Sequence, residues 1–175
     1  MLQLYIGLRL LNDAVAKLAT LIAMGIVALA SIGLTGSAVT RFVTGNGYDW
    51  LIELPPFLIP WLVFPMLGPL LRASHHIKVD VLPVFLSDKG KDFLQILVNL
   101  LVLVASSLFV IAGKETVDLY KRLGKIVELE ITFPIWYLYL AFPVGFVILA
   151  FSALEVVLGT VLKQQPYSSR DIRKY

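Results

Sequence analysis

Four long runs without a charged residue divide the chain, and polar segments separate them. An α-helix rises about 1.5 Å per residue, so a helix of about 20 apolar residues crosses a hydrocarbon core of about 30 Å. The pattern therefore predicts four transmembrane helices. Their predicted ranges are 18–40, 54–71, 93–113 and 131–154.

The second run is unusually rich in proline. Its five prolines are Pro55, Pro56, Pro60, Pro65 and Pro69. A proline inside a helix removes one backbone hydrogen bond, and lipid cannot satisfy the carbonyl that is left over. We therefore predict that this span packs against other helices and does not face bulk lipid.

The N-terminal segment, residues 1–17, has an amphipathic pattern. Apolar residues recur at helical spacing, and polar residues share the other side; they are Leu4, Leu8, Leu11 and Val15 against Arg9, Asn12, Asp13 and Lys17. This arrangement predicts a helix that lies in the membrane interface. A simple extension of the first span is the alternative.

The polar segments predict the connections between the spans and the C-terminal tail. Residues 41–53 contain Asn46-Gly47 and predict a turn, whereas residues 72–92 hold a short apolar piece, 79–86, that is too brief to cross a membrane. The tail, 163–175, is polar and is predicted to be mobile. The predicted domains are thus an N-terminal helix (1–17), a four-helix transmembrane domain (18–162) and a tail.

Two local signals refine the helices. Gly33 and Ser37 form a pair of small residues four positions apart, which favours close helix contact in a membrane. Gly124 follows a helical charge pattern after the third span, so the third helix is predicted to continue past the membrane and to end there.

Composition confines the chain to one class. Hydrophobic residues make up 58%, charged residues only 15%, and the mean hydropathy is +0.84. Soluble domains are about 45 to 50% apolar, so this is an all-α integral membrane protein. The net charge of +3 does not indicate nucleic acid, because the basic residues flank apolar runs. The chain has no cysteine, which excludes disulfides, cysteine-ligated clusters and thiol nucleophiles.

The basic residues also predict an orientation. With the N-terminus inside, ten Lys and Arg residues fall in inner segments and five in outer segments. The positive-inside rule then places both termini in the cytoplasm. The Trp50 end of the second span would face out, and the His75-His76 loop would face in.

The spans carry little chemistry. No ionisable residue lies near the middle of any of them, and Glu53 and Glu155 stand near ends. Proton relays and ion pathways need such groups, so this chain alone is predicted not to be the transporting unit. No hydrolase, nucleotide-binding or zinc motif occurs, so no catalytic, cofactor-binding or metal residue is predicted, and the chain is not expected to be an enzyme.

A set of residues spread over most of the chain resembles a known family. They are Trp50, Glu53-Leu54, Trp61, Phe64, Arg72, His76-Ile77-x-Val79-Asp80, Pro134-x-Trp136 and Pro143-Val144-Gly145-Phe146. In order and spacing they look like the small membrane subunit of tripartite ATP-independent periplasmic (TRAP) transporters. Three positions depart from that pattern, namely Ile52, Pro56 and Met66.

The resemblance implies a scaffold in a bacterial inner membrane. Its partners would be a large elevator-type membrane subunit and a periplasmic binding protein that delivers an organic acid, with uptake driven by a sodium gradient. The sodium ions are expected in the large subunit. Ten residues are predicted to serve the subunit interface or the structure: Trp50, Glu53, Trp61, Arg72, His76, Asp80, Pro134, Trp136, Pro143 and Gly145.

Other functions remain open from the residues alone. The adjacent His75 and His76 allow a membrane anchor of a redox complex, which a haem spectrum would detect, and a membrane-embedded enzyme is a third class. His76 and Asp80 lie four residues apart and would share one helical face. We predict that this pair fixes the loop against neighbouring helices; the alternative is that Asp80 only caps a short helix.

Overall fold

The computed structural model describes residues 2–73, 88–127 and 132–162, and these residues are mainly helical. Five α-helices and two short strands follow one another along this part of the chain. They are α1 (Leu2–Thr44), α2 (Asp49–Val63), a 3-10 turn (Phe64–Met66), α3 (Leu67–Arg72), α4 (Asp88–Leu123), β1 (Ile126–Val127), β2 (Phe133–Pro134) and α5 (Trp136–Val161).

Four helical stretches are long and apolar enough to cross a membrane. They are Leu2–Thr44, Asp49–Arg72, Gly90–Leu123 and Trp136–Val161, the second comprising α2, the 3-10 turn and α3. The all-α fold with four membrane helices is therefore confirmed. The first three predicted spans lie inside longer helices, and the fourth begins before α5, so the exact membrane segments stay predictions.

Helix α5 is the centre of the bundle. It packs against α4 on one side and against α1, α2 and α3 on the other. One third (33%) of its most apolar window is buried, against 6% for that of α1. Helices α1 and α4 consequently present most of their surface outward.

The proline-rich span packs against α5 and α1, as the sequence predicted. Ile59 and Val63 on this span are 55% and 44% exposed, so its shielding from lipid stays a prediction. At Phe64–Met66 the helix tightens into the 3-10 turn, in which the amide of Leu67 donates to the carbonyl of Phe64, and Pro65 is buried there. A Cβ atom on Gly145 of α5 would lie 2.5 Å from the carbonyl carbon of Phe64, and one on Gly68 would lie 2.9 Å from the carbonyl oxygen of Ile148. Only glycine permits the two backbones to approach this closely.

Phenylalanine rings of α4, α5 and the 3-10 turn contact one another. Phe64 stands 5.1 Å from Phe142, and Phe109 of α4 stands 4.8 Å from Phe146, measured between ring centroids. A Cβ atom on Gly113 would lie 3.0 Å from Cδ of Pro143, so the proline of α5 packs against α4 at a glycine. These contacts join α4, α5 and the 3-10 turn in one phenylalanine cluster, of which Phe109 is 47% exposed and the other three rings are half-buried.

The connections before and after α4 differ in how much is described. Gly124 has φ +60° and directly follows Leu123, which confirms the predicted helix end. A two-residue ribbon follows, in which Ile126 pairs with Pro134 and Val127 with Phe133. The apolar piece at 79–86, the histidines and the tail at 163–175 lie outside the described residues.

Helix α1 runs without a break from Leu2 to Thr44. A separate interfacial helix over residues 1–17 is therefore not confirmed, because these residues continue the helix of the first span. Tyr5, Leu8 and Asn12 face the bundle, whereas Leu4 and Leu11 are exposed. The polar Asn12 is buried because it finds partners on α5.

Candidate functional site

A network of charged and amide side chains joins three helices near one end of the bundle. Arg72 is the last residue of α3; its Nη2 lies 2.6 Å from Oδ1 of Asp13 on α1 and 3.0 Å from Oε1 of Glu155 on α5. Its Nε lies 2.9 Å from Oε2 of Glu155. We call Asn12, Asp13, Arg72 and Glu155 the Arg72 network.

Asn12 completes the network. Its Nδ2 donates to Oε2 of Glu155 at 2.6 Å and stands 3.2 Å from the carbonyl oxygen of Phe151. Both carboxylate oxygens of Glu155 thus have donors from two other helices. A buried carboxylate needs such donors, because a charge without them is very costly in an apolar environment.

Burial sets the energetic importance of the network. Arg72 and Asn12 are each 4% exposed and Glu155 is 5% exposed, while the side chain of Asp13 keeps 23% of its surface. The guanidinium meets Glu155 through two nitrogens, by a hydrogen bond from Nη2 and by close ion-pair contact at Nε. Removing one partner of a buried ion pair typically costs about 3 to 5 kcal/mol, because the other charge is left unpaired.

Local sequence explains why these residues meet. The 3-10 turn and Gly68 bring the short α3 against α5, so that Arg72 at its end reaches Glu155. Tyr5 lies beside Gly159, where a Cβ atom would be 3.3 Å from Cε2 of Tyr5, and this holds α1 close to α5 one turn beyond Glu155. The C-terminal position of Arg72 also suits the negative end of the helix dipole.

The other end of α1 contacts the start of α2. Ser37 is buried; its hydroxyl donates to the carbonyl of Tyr48 at 3.1 Å and accepts from the amide of Tyr48 at 3.2 Å. Arg41 and Asp49 form an exposed ion pair at 2.7 Å. A Cβ atom on Gly33 would lie 3.0 Å from Cδ2 of Leu51, so the predicted Gly33 and Ser37 pair does lie at a helix contact.

Aromatic residues cluster where α5 begins. The Trp61 indole donates to the carbonyl of Tyr137 at 3.0 Å, and Trp136 stacks on Tyr137 at 3.8 Å. The ammonium of Lys121 lies 4.5 Å from the centre of the Trp136 ring, within the range of a cation–π interaction. These contacts tie α2, α4 and α5 together at this end.

The ten predicted residues fall into separate places. Arg72 lies in the network, Trp61 and Trp136 in the aromatic cluster, Pro134 in the ribbon, and Pro143 and Gly145 in helix contacts. Trp50 is half-buried near the start of α2. Glu53 is exposed and has no hydrogen bond or ion pair with the described residues. His76 and Asp80 lie outside those residues, and the assigned roles of all ten stay predictions.

Sequence reasoning missed three members of the network. Asn12 and Asp13 were assigned to the polar side of an interfacial helix, and Glu155 to a helix end. A signal existed, because Glu155 is the one charged residue between Glu130 and Lys163. An ionisable residue alone in so long an apolar stretch must find a partner inside the bundle.

The described ranges contain no cluster of three His, Cys, Asp or Glu side chains that could hold a metal ion. They do contain two apolar grooves. One, of about 430 Å³, lies between α4 and α5, and the other, of about 670 Å³, lies between α1 and the proline-rich span. Leu103, Val147 and Phe151 line the first, and Met24, Leu62 and Met66 line the second.

Comparison with known proteins gives one match. The model of the family described as tripartite ATP-independent periplasmic transporters, DctQ component, matches residues 30–163, which is more than three quarters of the chain. The matched range includes Arg72 and Glu155 and excludes Asn12 and Asp13. No curated protein and no solved structure matches the chain significantly.

Proposed function

The chain belongs to the DctQ component family of tripartite ATP-independent periplasmic transporters, and from this premise we propose that it is a non-catalytic scaffold subunit. In this proposal it supports a large elevator-type membrane subunit that takes up an organic acid. A periplasmic binding protein delivers the acid, and a sodium gradient drives the uptake.

One observation carries the scaffold proposal. Arg72 and Glu155 are the two buried charged residues in the described ranges, and they form an ion pair with each other. A transporting unit needs buried groups that bind and release an ion or a solute. A pair held by two contacts from the guanidinium and a further one from Asn12 is suited to fixing helices and poorly suited to releasing a ligand.

The distribution of contacts also supports a rigid body. The Arg72 network joins α1, α3 and α5 near one end, the phenylalanine cluster joins α4 and α5 in the middle, and the aromatic cluster joins α2 to α5 at the other end. An elevator mechanism moves one part of the transporter against a part that stays fixed. A bundle braced at several heights meets that requirement.

The outward surface offers room for the partners. Helices α1 and α4 expose most of their apolar side chains, and the two grooves beside them are lined by apolar residues. In the proposal, the large subunit covers part of this surface and lipid covers the rest. The chain itself would bind no sodium, no other cofactor and no nucleic acid.

Co-purification and deletion of the gene test the assignment. Tagged chain should co-purify with a much larger membrane protein, and deletion of its gene should abolish uptake of the organic acid that the binding protein recognises. Re-expression of the chain should restore uptake. Full uptake in the deletion strain, with the large subunit present at its normal level, would contradict the scaffold role.

The orientation belongs to the same proposal. The chain would lie in a bacterial inner membrane with both termini in the cytoplasm, as the count of basic residues predicts. Because the chain has no cysteine, Asn46→Cys and Ser169→Cys provide single labelling sites. An impermeant thiol reagent added to sealed cells should label Asn46→Cys and not Ser169→Cys. Labelling of Ser169→Cys would contradict this orientation.

A further inference from the structure

Asn99 is a buried polar residue that the contacts described so far do not use. It lies on α4 within the predicted third span and is 6% exposed. Its Nδ2 donates to the carbonyl oxygen of Gln95 at 2.8 Å, whereas its Oδ1 is buried and has no hydrogen-bond partner in the part of the chain that the structure describes. Exchanging the two atoms would place an oxygen against the Gln95 carbonyl, so the free atom is the acceptor.

The free acceptor lies on the side of α4 that packs against α5. The buried residues Asn99, Ser106 and Gly113 stand seven positions apart, which places them along one edge of the helix, and Gly113 meets Pro143 of α5. The hydroxyl of Ser106 is satisfied, because it donates to the carbonyl of Leu103 at 3.0 Å. A buried amide oxygen without a donor is costly in an apolar environment. Asn99 therefore calls for a donor that the described residues do not supply.

A groove begins one helical turn from Asn99. It has a volume of about 430 Å³, lies between α4 and α5, and is lined along α4 from Leu103 to Ile111, which is about 12 Å of helix. Leu103 follows Asn99 by four residues, so the two side chains are neighbours on the helix surface. Ser107 of α4 and Ala150 of α5 are small residues in the wall of the groove. Small residues let another helix approach closely in a membrane.

The free acceptor distinguishes among the candidate occupants of the groove. An acyl chain can fill the apolar part, but it has no donor for Oδ1 of Asn99. A buried water molecule needs about two to four polar partners, and the nearby Gln95 carbonyl and Ser106 hydroxyl are already engaged within α4. A protein helix meets both requirements, because its apolar side chains fill the groove while one polar side chain donates to the amide.

We propose that the groove between α4 and α5 binds a transmembrane helix of the large membrane subunit, and that a hydrogen-bond donor on this helix pairs with Oδ1 of Asn99. The inference rests on the proposed function, because it takes the large subunit as the partner. Oδ1 is covered in the chain alone, so binding includes a rotation of the Asn99 or Leu103 side chain that opens the amide to the groove. The Arg72 network lies on the other side of α5 and is not part of this site.

Asn99→Leu tests the free acceptor, since leucine keeps the branch at Cγ and removes both polar atoms. In the purified full chain alone, the midpoint temperature of unfolding should stay the same or rise, because no hydrogen bond between helices is lost. In nanodiscs, the dissociation constant for the large subunit should rise about five- to tenfold, as expected for the loss of one hydrogen bond. Ser106→Ala is the matched control on the same edge of α4, and it should leave that constant unchanged.

Photo-crosslinking tests the groove itself. Because the chain has no cysteine, Ser107→Cys and Leu108→Cys each accept a single benzophenone maleimide. Ser107 lines the groove, whereas its neighbour Leu108 is 63% exposed and does not line it. In membranes that hold the assembled transporter, Ser107→Cys should cross-link to the large subunit, and Leu108→Cys should do so in much lower yield.

Three results, obtained with the complex of the parent chain intact, would overturn the proposal. A lower midpoint for Asn99→Leu alone would show that water or this chain already satisfies the oxygen. An unchanged dissociation constant for Asn99→Leu would show that the large subunit supplies no donor. Cross-linking at Leu108→Cys and not at Ser107→Cys would leave the groove to lipid. Failure of the parent chain to bind the large subunit at all would instead contradict the proposed function, and this inference with it.

Discussion

An arginine pairs with an aspartate near each end of α1. The two pairs have similar distances but differ in burial and in the number of helices that they join. Arg72 and Asp13 stand 2.6 Å apart, and Arg41 and Asp49 stand 2.7 Å apart. The side chain of Arg72 is 3% exposed and is shared with Glu155, whereas the Arg41 and Asp49 side chains are 56% and 63% exposed. Distance alone therefore says little about what an ion pair does in this protein.

The difference is one of environment. Arg72 has left water, so its partners must replace its hydration, and removal of any partner leaves a buried charge. Arg41 and Asp49 stay hydrated, so their attraction is weak and screened by salt. In addition, the Arg72 network joins three helices, but the Arg41 pair only bridges the turn between α1 and α2. The Arg72 network therefore holds helices of the bundle together. The Arg41 pair lies at a connection that the hydrogen bonds of Ser37 already hold.

The largest effect is expected from Glu155→Leu. It takes from Arg72 its buried partner, leaves Asp13 at the edge of the network, and removes the acceptor of Asn12, so the free energy of unfolding in mixed micelles should fall by about 3 to 5 kcal/mol. The double variant Arg72→Met/Glu155→Leu should lose less than Glu155→Leu alone, because it removes both buried charges and the Asp13 carboxylate keeps 23% of its side chain exposed. A double variant less stable than either single variant would mean that the two side chains do not act as a pair.

A smaller effect is expected from Gly68→Ala, which tests how α3 presents Arg72. The added methyl group would lie 2.6 Å from Oγ of Ser152 and 2.9 Å from the carbonyl oxygen of Ile148. Overpacking of this kind typically costs about 1 to 3 kcal/mol. Gly36→Ala is the matched control, since a Cβ atom there meets nothing within 4 Å. Denaturant unfolding of both variants measures the difference, and equal stabilities would show that α3 is not closely packed on α5.

The turn between α1 and α2 should be held by Ser37 more than by the ion pair. Ser37→Ala removes two hydrogen bonds at a fully buried position and leaves the Tyr48 backbone groups without them, so a loss of about 1 to 3 kcal/mol is expected. The loss should not depend on salt. If Ser37→Ala is as stable as the parent chain, the turn is held by Arg41 and Asp49 and not by Ser37.

The smallest effect is expected from Asp49→Asn. The exposed pair should contribute about 0 to 1 kcal/mol, and less when salt is added. Denaturant unfolding at low and high ionic strength measures both quantities. A loss as large as that of Glu155→Leu would erase the contrast between the two ends of α1.

The same contrast separates what the sequence could predict from what it could not. Four spans followed from runs without charge, and Gly124 and the proline-rich span followed from rules about single residues, because these features depend on local chemistry. The Arg72 network depends on which faces of α1, α3 and α5 meet. Asn12 and Glu155 are 143 positions apart in the chain, Arg72 and Glu155 are 83 apart, and Asp13 and Arg72 are 59 apart. A local pattern carries no information about such pairings.

The local pattern also predicts that Asn12 and Asp13 lie on a polar side of the helix, but it does not show which residues that side contacts. A polar residue in a helix is predicted to be exposed unless a buried partner is known. The partner of Asn12 is Glu155, which lies on the last helix. By contrast, the alternative in which residues 1–17 extend the first span matches the continuous helix. Their position relative to lipid stays a prediction, because it depends on the membrane as well as on the chain.

Uptake by reconstituted vesicles tests the central claim most directly, namely that this chain supports transport without carrying it out. Vesicles holding the large subunit, the binding protein and this chain should accumulate the organic acid when a sodium gradient is applied, and omission of this chain should abolish accumulation. Vesicles holding this chain alone should accumulate nothing, because its buried charges, Arg72 and Glu155, are held by each other. Sodium-driven accumulation by this chain alone would contradict the account.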